Sequence, residues 1–288
     1  MKILIINGCT QDFDQNFINA GCAPQNKVFY NIITEIIPQS TIDTFNSYGF
    51  NKYNLNEYDA FMWTGGGGNV YEENDHNKSQ LDICNDILSL NKPIWGSCWG
   101  MQVIVKSFGK KVIKSNNPEF GISKNIKIIS STLNDSIYKN KELIFDAPAH
   151  HYDVIVDIPD EFEIIAENNL SIQSIYSKSK NIFCTQYHPE LSYDYMMSVI
   201  KDLSDNDLIH VSDNDEIPNL NSSQFKKNNS DIIFFKQLFC FYKFNLYYDR
   251  MPWFGSKACK KKKLKSLSWL RNLKNKKYPF WRMDTFFS

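Results

Sequence analysis

The sequence lacks the features that mark several common classes of protein. Its seven cysteines are scattered, and no two of them have the CxxC spacing of a redox or zinc motif. No apolar run approaches the roughly 18–20 residues that a membrane-spanning helix needs. We therefore expect reduced thiols and a cytoplasmic protein without a membrane segment.

Motifs for nucleotide and metal binding are missing as well. The glycine run Gly65–Gly68 is not followed by the Gly-Lys-Ser/Thr of a P-loop, which argues against ATP binding by that route. No second pair of suitably spaced cysteine or histidine residues completes a zinc site. We expect neither a metal nor a cofactor.

The charge is unevenly distributed, although the whole chain has no net charge. Residues 240–288 carry 13 Lys and Arg residues against 2 Asp and Glu residues, and the rest of the chain has the opposite excess. Residues 204–231 are rich in Asp, Asn and Ser, a composition typical of linkers. We predict a domain at 1–203, a polar linker at 204–231 and a basic, aromatic-rich C-terminal extension at 232–288.

Short buried strands alternate with helices in the first part of the chain, which predicts βαβ units. The fold class is therefore α/β, a three-layer domain with a mostly parallel central sheet. Strands are predicted at 3–6, 58–63 and 93–95, and helices at 25–37, 79–90, 99–108 and 193–203. Seven further strands, interpreted as an antiparallel extension of the sheet, are predicted at 111–113, 125–130, 143–145, 154–156, 162–166, 172–176 and 181–186.

Cys98 lies between two glycines at a predicted strand-to-helix turn, in the stretch GSCWG at residues 96–100. Such a turn presents the side chain at the carboxyl edge of the sheet, and glycines relieve the crowding of its backbone. The N–H groups of the following helix favour an anion, whether a thiolate or an oxyanion. The pattern predicts a nucleophile elbow with cysteine as the nucleophile.

His188 is the best candidate for the base that a thiol nucleophile needs. It follows a predicted strand, so it should reach the same sheet edge as Cys98, and Glu190 is close enough along the chain to orient its imidazole. For the oxyanion hole, the candidate donors are the backbone N–H groups of Gly66 and Trp99. The residues thus predict a Cys-His-Glu triad, which we prefer to the alternatives of a core cysteine, a His-Pro turn and a flexible glycine loop.

The motifs TGGGGNVY, GSCWGMQ and QYHPE, in this order, resemble those of the class I glutamine amidotransferases over about residues 1–200. The resemblance implies a flavodoxin-like fold, and it is strongest to the stand-alone members related to the amidotransferase domain of GMP synthetase. It also implies that Gly65, Gln102, His151 and Asp153 take part in substrate binding. For His151 and Asp153, in the segment HHYDVI, capping a turn is the alternative role.

The resemblance implies an enzyme that hydrolyses the side-chain amide of L-glutamine and passes the ammonia to a separate synthetase. The segment after residue 203 is too short to be such a synthetase domain. Two alternatives stay open: hydrolysis of another γ-glutamyl amide or peptide by the same triad, and a non-catalytic interaction protein.

The remaining signals carry less weight. The basic tail, which includes Lys260–Lys263, suits a solvated face or a protein contact better than a nucleic-acid contact. Three histidines are predicted to lie at the surface, namely His76, His150 and His210. Two aromatic residues fit either the core or the wall of a pocket, namely Trp99 and Tyr187.

Overall fold

The structure, a computed structural model, describes residues 1–49, 52–129, 138 and 141–205 of the chain. The predicted C-terminal extension and nearly all of the predicted linker lie outside the described residues, as does His210. Within the described ranges, no helix combines the length and the apolar character that crossing a bilayer requires.

Five α-helices and nine strands make up the described part of the chain. The strands are β1 (Lys2–Gly8), β2 (Thr41–Asn46), β3 (Ala60–Gly66), β4 (Ile94–Ser97), β5 (Val112–Ile128), β6 (Ile144–Ile155), β7 (Glu163–Glu167), β8 (Ile172–Ser177) and β9 (Ile182–Thr185). The helices are α1 (Gln11–Asn19), α2 (Gln25–Ile36), α3 (Asp75–Leu88), α4 (Trp99–Ser107) and α5 (Tyr193–Asp205).

The strands form one sheet in the order β2-β1-β3-β4-β9-β8-β7-β5-β6. The first five strands in this order are parallel. Leu4 and Ile6 of β1 pack with α3 and α4 on one face, whereas Trp95 of β4 stacks on Phe29 of α2 on the other, with ring centroids 4.9 Å apart. The predicted three-layer α/β fold is confirmed. The carboxyl ends of β3, β4 and β9 meet at one edge.

The other half of the sheet is antiparallel, and here the structure corrects the predicted elements. The predicted strands 111–113 and 125–130 overlap a single long β5, and those at 143–145 and 154–156 overlap β6. β5 changes register twice against β6, and Asn125, with a φ of 54°, lies at the second shift. These bulges let the ladder continue through polar residues that resemble turns in the sequence.

The sequence patterns do not predict α1 and β2. α1 has few apolar residues, and it begins after Thr10, whose hydroxyl accepts a hydrogen bond from the N–H of Phe13 at 3.3 Å. The other four helices overlap their predicted ranges. α5 reaches Asp205, so it includes the first two residues of the predicted linker.

Candidate active site

Cys98 occupies the junction between β4 and α4, and its backbone is strained. Its φ of 48° and ψ of −100° lie outside the regions that a residue with a side chain normally adopts. A Cβ at Gly96 would lie 2.8 Å from the carbonyl carbon of Gly100, and one at Gly100 would lie 2.5 Å from the Cβ of Trp63. The flanking glycines therefore allow the close packing that this turn requires. The N–H of Cys98 donates to the carbonyl of Thr185 at 2.7 Å, which ties the turn to the end of β9.

His188 and Glu190 form a buried pair just after β9, beside the turn that carries Cys98. The Nδ1 of His188 lies 2.7 Å from Oε1 of Glu190, and the hydroxyl of Ser97 donates to the same oxygen at 2.9 Å. The Cys98 sulfur lies close enough to this imidazole for its charge to act on the ring. The structure thus brings together the three side chains that the sequence predicts as a triad.

The surroundings of His188 favour its charged form. Burial lowers the pKa of the imidazole, but the charges of Glu190 and Cys98 and the hydrogen bond to Glu190 raise it by more, so the net pKa is above its usual value. An imidazolium next to the sulfur is suited to give a proton to a leaving amine.

The other described cysteines have different surroundings. All five described cysteines are free thiols. Burial raises the pKa of the Cys84 thiol to about 12, and it also raises the pKa values of Cys9 and Cys184. We therefore expect these three thiols to be poor nucleophiles at neutral pH. Among the described residues, no group of three or more His, Cys, Asp or Glu side chains is arranged to hold a metal ion.

Gly66 and Trp99, the predicted oxyanion donors, lie on neighbouring elements and line the same cavity as Cys98. Gly66 ends β3, and Trp99 is the first residue of α4, whose first N–H groups have no partner within the helix. Gly65 is not among the lining residues. A Cβ at Gly65 would lie 2.5 Å from Oε1 of Gln25 and 2.7 Å from Cε1 of His188, so its lack of a side chain makes room for the imidazole.

The cavity beside the Cys98 sulfur has a volume of about 320 Å³. This is at the lower end of the range for small-molecule sites. Among the described residues, the lining includes one carboxylate, that of Asp153, and neither lysine nor arginine. The lining consists of Phe13, Asn16, Gly66, Gly68, Cys98, Trp99, Gln102, His150, His151, Tyr152 and Asp153.

His151, Asp153 and Gln102 come together on one wall of this cavity. The Nδ1 of His151 lies 3.1 Å from the carbonyl oxygen of Asp153, to which Nε2 of Gln102 donates at 3.3 Å. The Nε2 of His151 lies 3.2 Å from Oε2 of Glu119, and the hydroxyl of Tyr71 donates to Oδ1 of Asp153 at 3.1 Å. Glu119 is a buried partner that no sequence pattern indicates.

The carboxylates of Glu119 and Asp153 differ in their electrostatics. For Glu119, burial raises the pKa, but the nearby His151 and the hydrogen bond from Asn168 lower it by more, and the net pKa is below its usual value. For Asp153, burial dominates over the hydrogen bond from the Tyr71 hydroxyl, and the pKa is raised.

A match to the sequence model of a protein family decides how this chain is classified. The model of the class-I glutamine amidotransferases matches residues 25–202, more than half of the chain. The chain belongs to the class I glutamine amidotransferases. The matched range contains the elbow at β4–α4 and the segment after β9.

Relatives of this amidotransferase include longer proteins. The GMP synthase (glutamine-hydrolyzing) of Petrotoga mobilis is 32% identical over 150 residues, which are 51% of this chain and 28% of that protein. In Thermoplasma acidophilum, one subunit of the glutamine-hydrolyzing GMP synthase is 32% identical over 140 residues, 48% of this chain and 66% of that one. The chain spans 24–28% of the length of three matching GMP synthases.

A solved structure supports the fold of this amidotransferase. A glutamine amidotransferase from Thermotoga maritima superposes with a TM-score of 0.63 at 18% identity, over 84% of this chain and 97% of that one. At this identity the likeness shows the fold alone.

Two histidines of this amidotransferase are not where the sequence predicts them, at the surface. The half-buried His150 lines the cavity, and burial, with the charges of His188 and His151, lowers the pKa of its ring to about 4. His76 is half-buried, with Nδ1 2.6 Å from the hydroxyl of Ser47. Sequence patterns placed both at the surface because neither histidine follows a motif.

Cavity residues from α1 and β6 were also missed by the sequence patterns. Phe13 of α1 packs on the glycine loop so closely that a Cβ at Gly67 would overlap its ring. The sequence feature that could have indicated α1 is Thr10, a good N-cap residue three positions before Phe13. Of the two ambiguous aromatic residues, Trp99 lines the cavity, whereas Tyr187 is core, with its hydroxyl 2.9 Å from that of Tyr138.

Proposed function

We propose that this chain hydrolyses the side-chain amide of L-glutamine to glutamate and ammonia. The observation that carries the proposal is the convergence of Cys98 with the His188–Glu190 pair at the carboxyl ends of β4 and β9. The adjoining cavity gives a small ligand access to the sulfur. Membership of the class I glutamine amidotransferases supports the same reaction.

In the proposed first half-reaction, the thiolate of Cys98 attacks the carbonyl carbon of the glutamine side chain. The C–S bond forms as the carbonyl electrons move onto oxygen, and the N–H groups of Gly66 and Trp99 stabilise this oxyanion. When the carbonyl re-forms, the C–N bond breaks and the imidazolium of His188 gives its proton to the departing ammonia. The product is a γ-glutamyl thioester.

In the proposed second half-reaction, neutral His188 takes a proton from water as the water oxygen attacks the thioester. The C–S bond then breaks, which releases glutamate and restores the thiolate, while the imidazole keeps its proton for the next cycle. Glu190 orients the ring and stabilises its charged form throughout.

Four residues are proposed to assist substrate binding. Gln102, His151 and Asp153 are supported by their positions on the cavity wall, and a carboxylate such as that of Asp153 suits the α-ammonium group of an amino acid. Gly65 contributes indirectly, because its lack of a side chain makes room for His188.

We further propose that the ammonia passes to a separate synthetase. The support comes from the Thermoplasma acidophilum relative, which is named as one subunit of a GMP synthase. Affinity purification of the full chain from its native cells should recover an ammonia-using synthetase. Recovery of no such enzyme under conditions that preserve glutaminase activity would contradict this part of the proposal. The predicted linker and C-terminal extension stay predictions.

The test of the main proposal is release of glutamate and ammonia from purified full chain with millimolar glutamine, beside Cys98→Ala. Activity should be lost in this variant, because the nucleophile is absent. Cys84→Ala, which removes an equally buried sulfur from α3, should keep it. Inactive wild-type protein whose Cys98 is alkylated no faster than Cys84 would contradict the proposal. Turnover of other γ-glutamyl amides in place of glutamine would instead establish the alternative substrate.

A further inference from the structure

Gln186 connects the nucleophile to the cavity wall. It directly follows β9, and its side chain is fully buried. Its Nε2 lies 3.4 Å from Sγ of Cys98, and its Oε1 lies 3.4 Å from Nε2 of Gln102. The N–H of its backbone donates to the carbonyl of Gln173 at 2.8 Å, which holds the residue in place.

The direction of these hydrogen bonds follows from a single backbone carbonyl. The carbonyl oxygen of Asp153 can only accept, so Gln102 must present its amide nitrogen to it. The second hydrogen on that nitrogen then donates to Gln186, which must present its oxygen to Gln102. This leaves the amide N–H of Gln186 facing the sulfur, where it is a donor and the sulfur is the acceptor.

The sulfur therefore has partners that distinguish its two protonation states. The thiol form donates to the carbonyl oxygen of His150, 3.8 Å from Sγ. The thiolate form has no proton to donate, and it accepts from Gln186 and is attracted by the charge of the His188 imidazolium. A hydrogen bond from an amide is much stronger to a charged acceptor than to a neutral sulfur.

We propose that Gln186 is a catalytic residue that stabilises the thiolate of Cys98 by donating a hydrogen bond to it, and that Gln102 is the positioning residue that sets the direction of this bond. The proposal rests on the proposed function, in which this thiolate is the nucleophile. It also assigns Gln102 a task beyond contact with the substrate.

Other titratable groups face the same sulfur or its immediate surroundings, so the test must compare variants that keep them. They are His188 and Glu190 after β9, His150, His151 and Asp153 on β6, and Cys9 after β1. None of the substitutions proposed below removes any of them.

The experiment measures the rate of Cys98 alkylation by iodoacetamide as a function of pH, by peptide mass spectrometry on the full chain. Gln186→Met keeps the length of the side chain but removes the donor. The midpoint of the rate profile should rise by about one to two pH units, as expected for a lost hydrogen bond to a charged group. Gln102→Met should raise it by less, because Gln186 keeps its donor but loses its anchor.

Gln80→Met is the matched control. Gln80 is equally buried and also makes two side-chain hydrogen bonds, with Trp63 and with the carbonyl of Asn7, but it does not contact the sulfur. Its midpoint should equal that of the wild type. Circular dichroism and thermal unfolding establish that each variant is folded.

The outcomes separate this proposal from the proposed function. An unchanged midpoint in folded Gln186→Met would overturn the role of Gln186. If Gln186→Met does not fold, Gln186→Leu, which also removes the donor, takes its place, and an unchanged midpoint in that variant overturns the role of Gln186. A wild type that does not hydrolyse glutamine and whose Cys98 is alkylated no faster than Cys84 would contradict the proposed function, while the alkylation midpoints would still decide the role of Gln186.

Discussion

Two buried His–Glu pairs lie near the same cavity and have different surroundings. The elbow pair consists of His188 and Glu190, 2.7 Å apart, and the wall pair of His151 and Glu119, 3.2 Å apart. In the elbow pair, the ring also lies close enough to the sulfur of Cys98 for their charges to interact. The second ring nitrogen of the wall pair instead faces a backbone carbonyl oxygen.

We infer from this comparison that a histidine paired with a carboxylate need not act as a catalytic base. In the elbow pair, the His188 ring lies beside the Cys98 sulfur, a group that can gain and lose a proton. In the wall pair, Nδ1 of the His151 ring faces the carbonyl oxygen of Asp153. Because this oxygen can only accept a hydrogen bond, Nδ1 must keep its proton. We expect the elbow pair to take part in the chemistry and the wall pair to hold the shape of the cavity.

The largest expected effect is the loss of turnover when the carboxylate of the elbow pair is neutralised. Glu190→Gln removes the charge that orients and stabilises the His188 imidazolium, so kcat for glutamine should fall by about 100-fold or more. Steady-state kinetics at saturating glutamine measure this loss. A kcat within about threefold of the wild type would contradict the assignment of the elbow pair to the chemistry.

The matched substitution in the wall pair should act mainly on binding and stability. Glu119 accepts hydrogen bonds from Ser171 and Gln173, and in Glu119→Gln an amide N–H would oppose some of these donors. We expect a loss of about 2–4 kcal/mol in the free energy of unfolding. KM should rise several-fold, while kcat falls by less than about tenfold.

Urea unfolding and steady-state kinetics on the two variants together test this contrast. Equal losses of kcat in Glu119→Gln and Glu190→Gln would show that the wall pair also acts in the chemistry, and would remove the distinction drawn above.

The smallest expected effect is on the pH dependence of stability. The elbow pair should act at alkaline pH and the wall pair at acid pH. The folded pKa of His188 is raised, so its stabilisation is present below the unfolded value of about 6.5 and is lost as pH rises through the folded value. The folded pKa of Glu119 is lowered, so its stabilisation is present above about 4.3 and is lost as pH falls through the folded value.

Free energies of unfolding measured from acid to alkaline pH check this prediction. Glu190→Gln should reduce the alkaline loss of stability, and Glu119→Gln should reduce the acid loss, each by on the order of 1–3 kcal/mol. Changes on the same side of the pH profile for both variants would contradict it.

Local patterns predicted β1, β3 and β4 of the parallel half and the members of the elbow pair, but not β2 or the parallel pairing of β9 with β4. The strand that ends at Ser97 and the helix that begins at Trp99 are visible as an apolar run, two glycines and helical spacing. Because carboxyl ends of parallel strands share an edge, the positions of Cys98 and His188 along the chain were enough to predict that they meet.

The antiparallel half was harder to predict, because bulges carry β5 and β6 through polar residues that resemble turns. Glu119 is hidden in such a stretch, and its partner His151 is 32 positions further along the chain and directly opposite in the ladder. Pairing of this kind depends on register, which no local spacing reveals.

The sequence by itself thus determined the fold class, the nucleophile turn and the residues that can carry a proton, because each of these depends on a few neighbouring positions. Only the tertiary structure decided that the His151 ring is held by a carbonyl oxygen and that Gln186 presents a donor to Cys98. The physical reason is that hydrogen-bond roles depend on the partners available at each atom, and those partners come from distant parts of the chain.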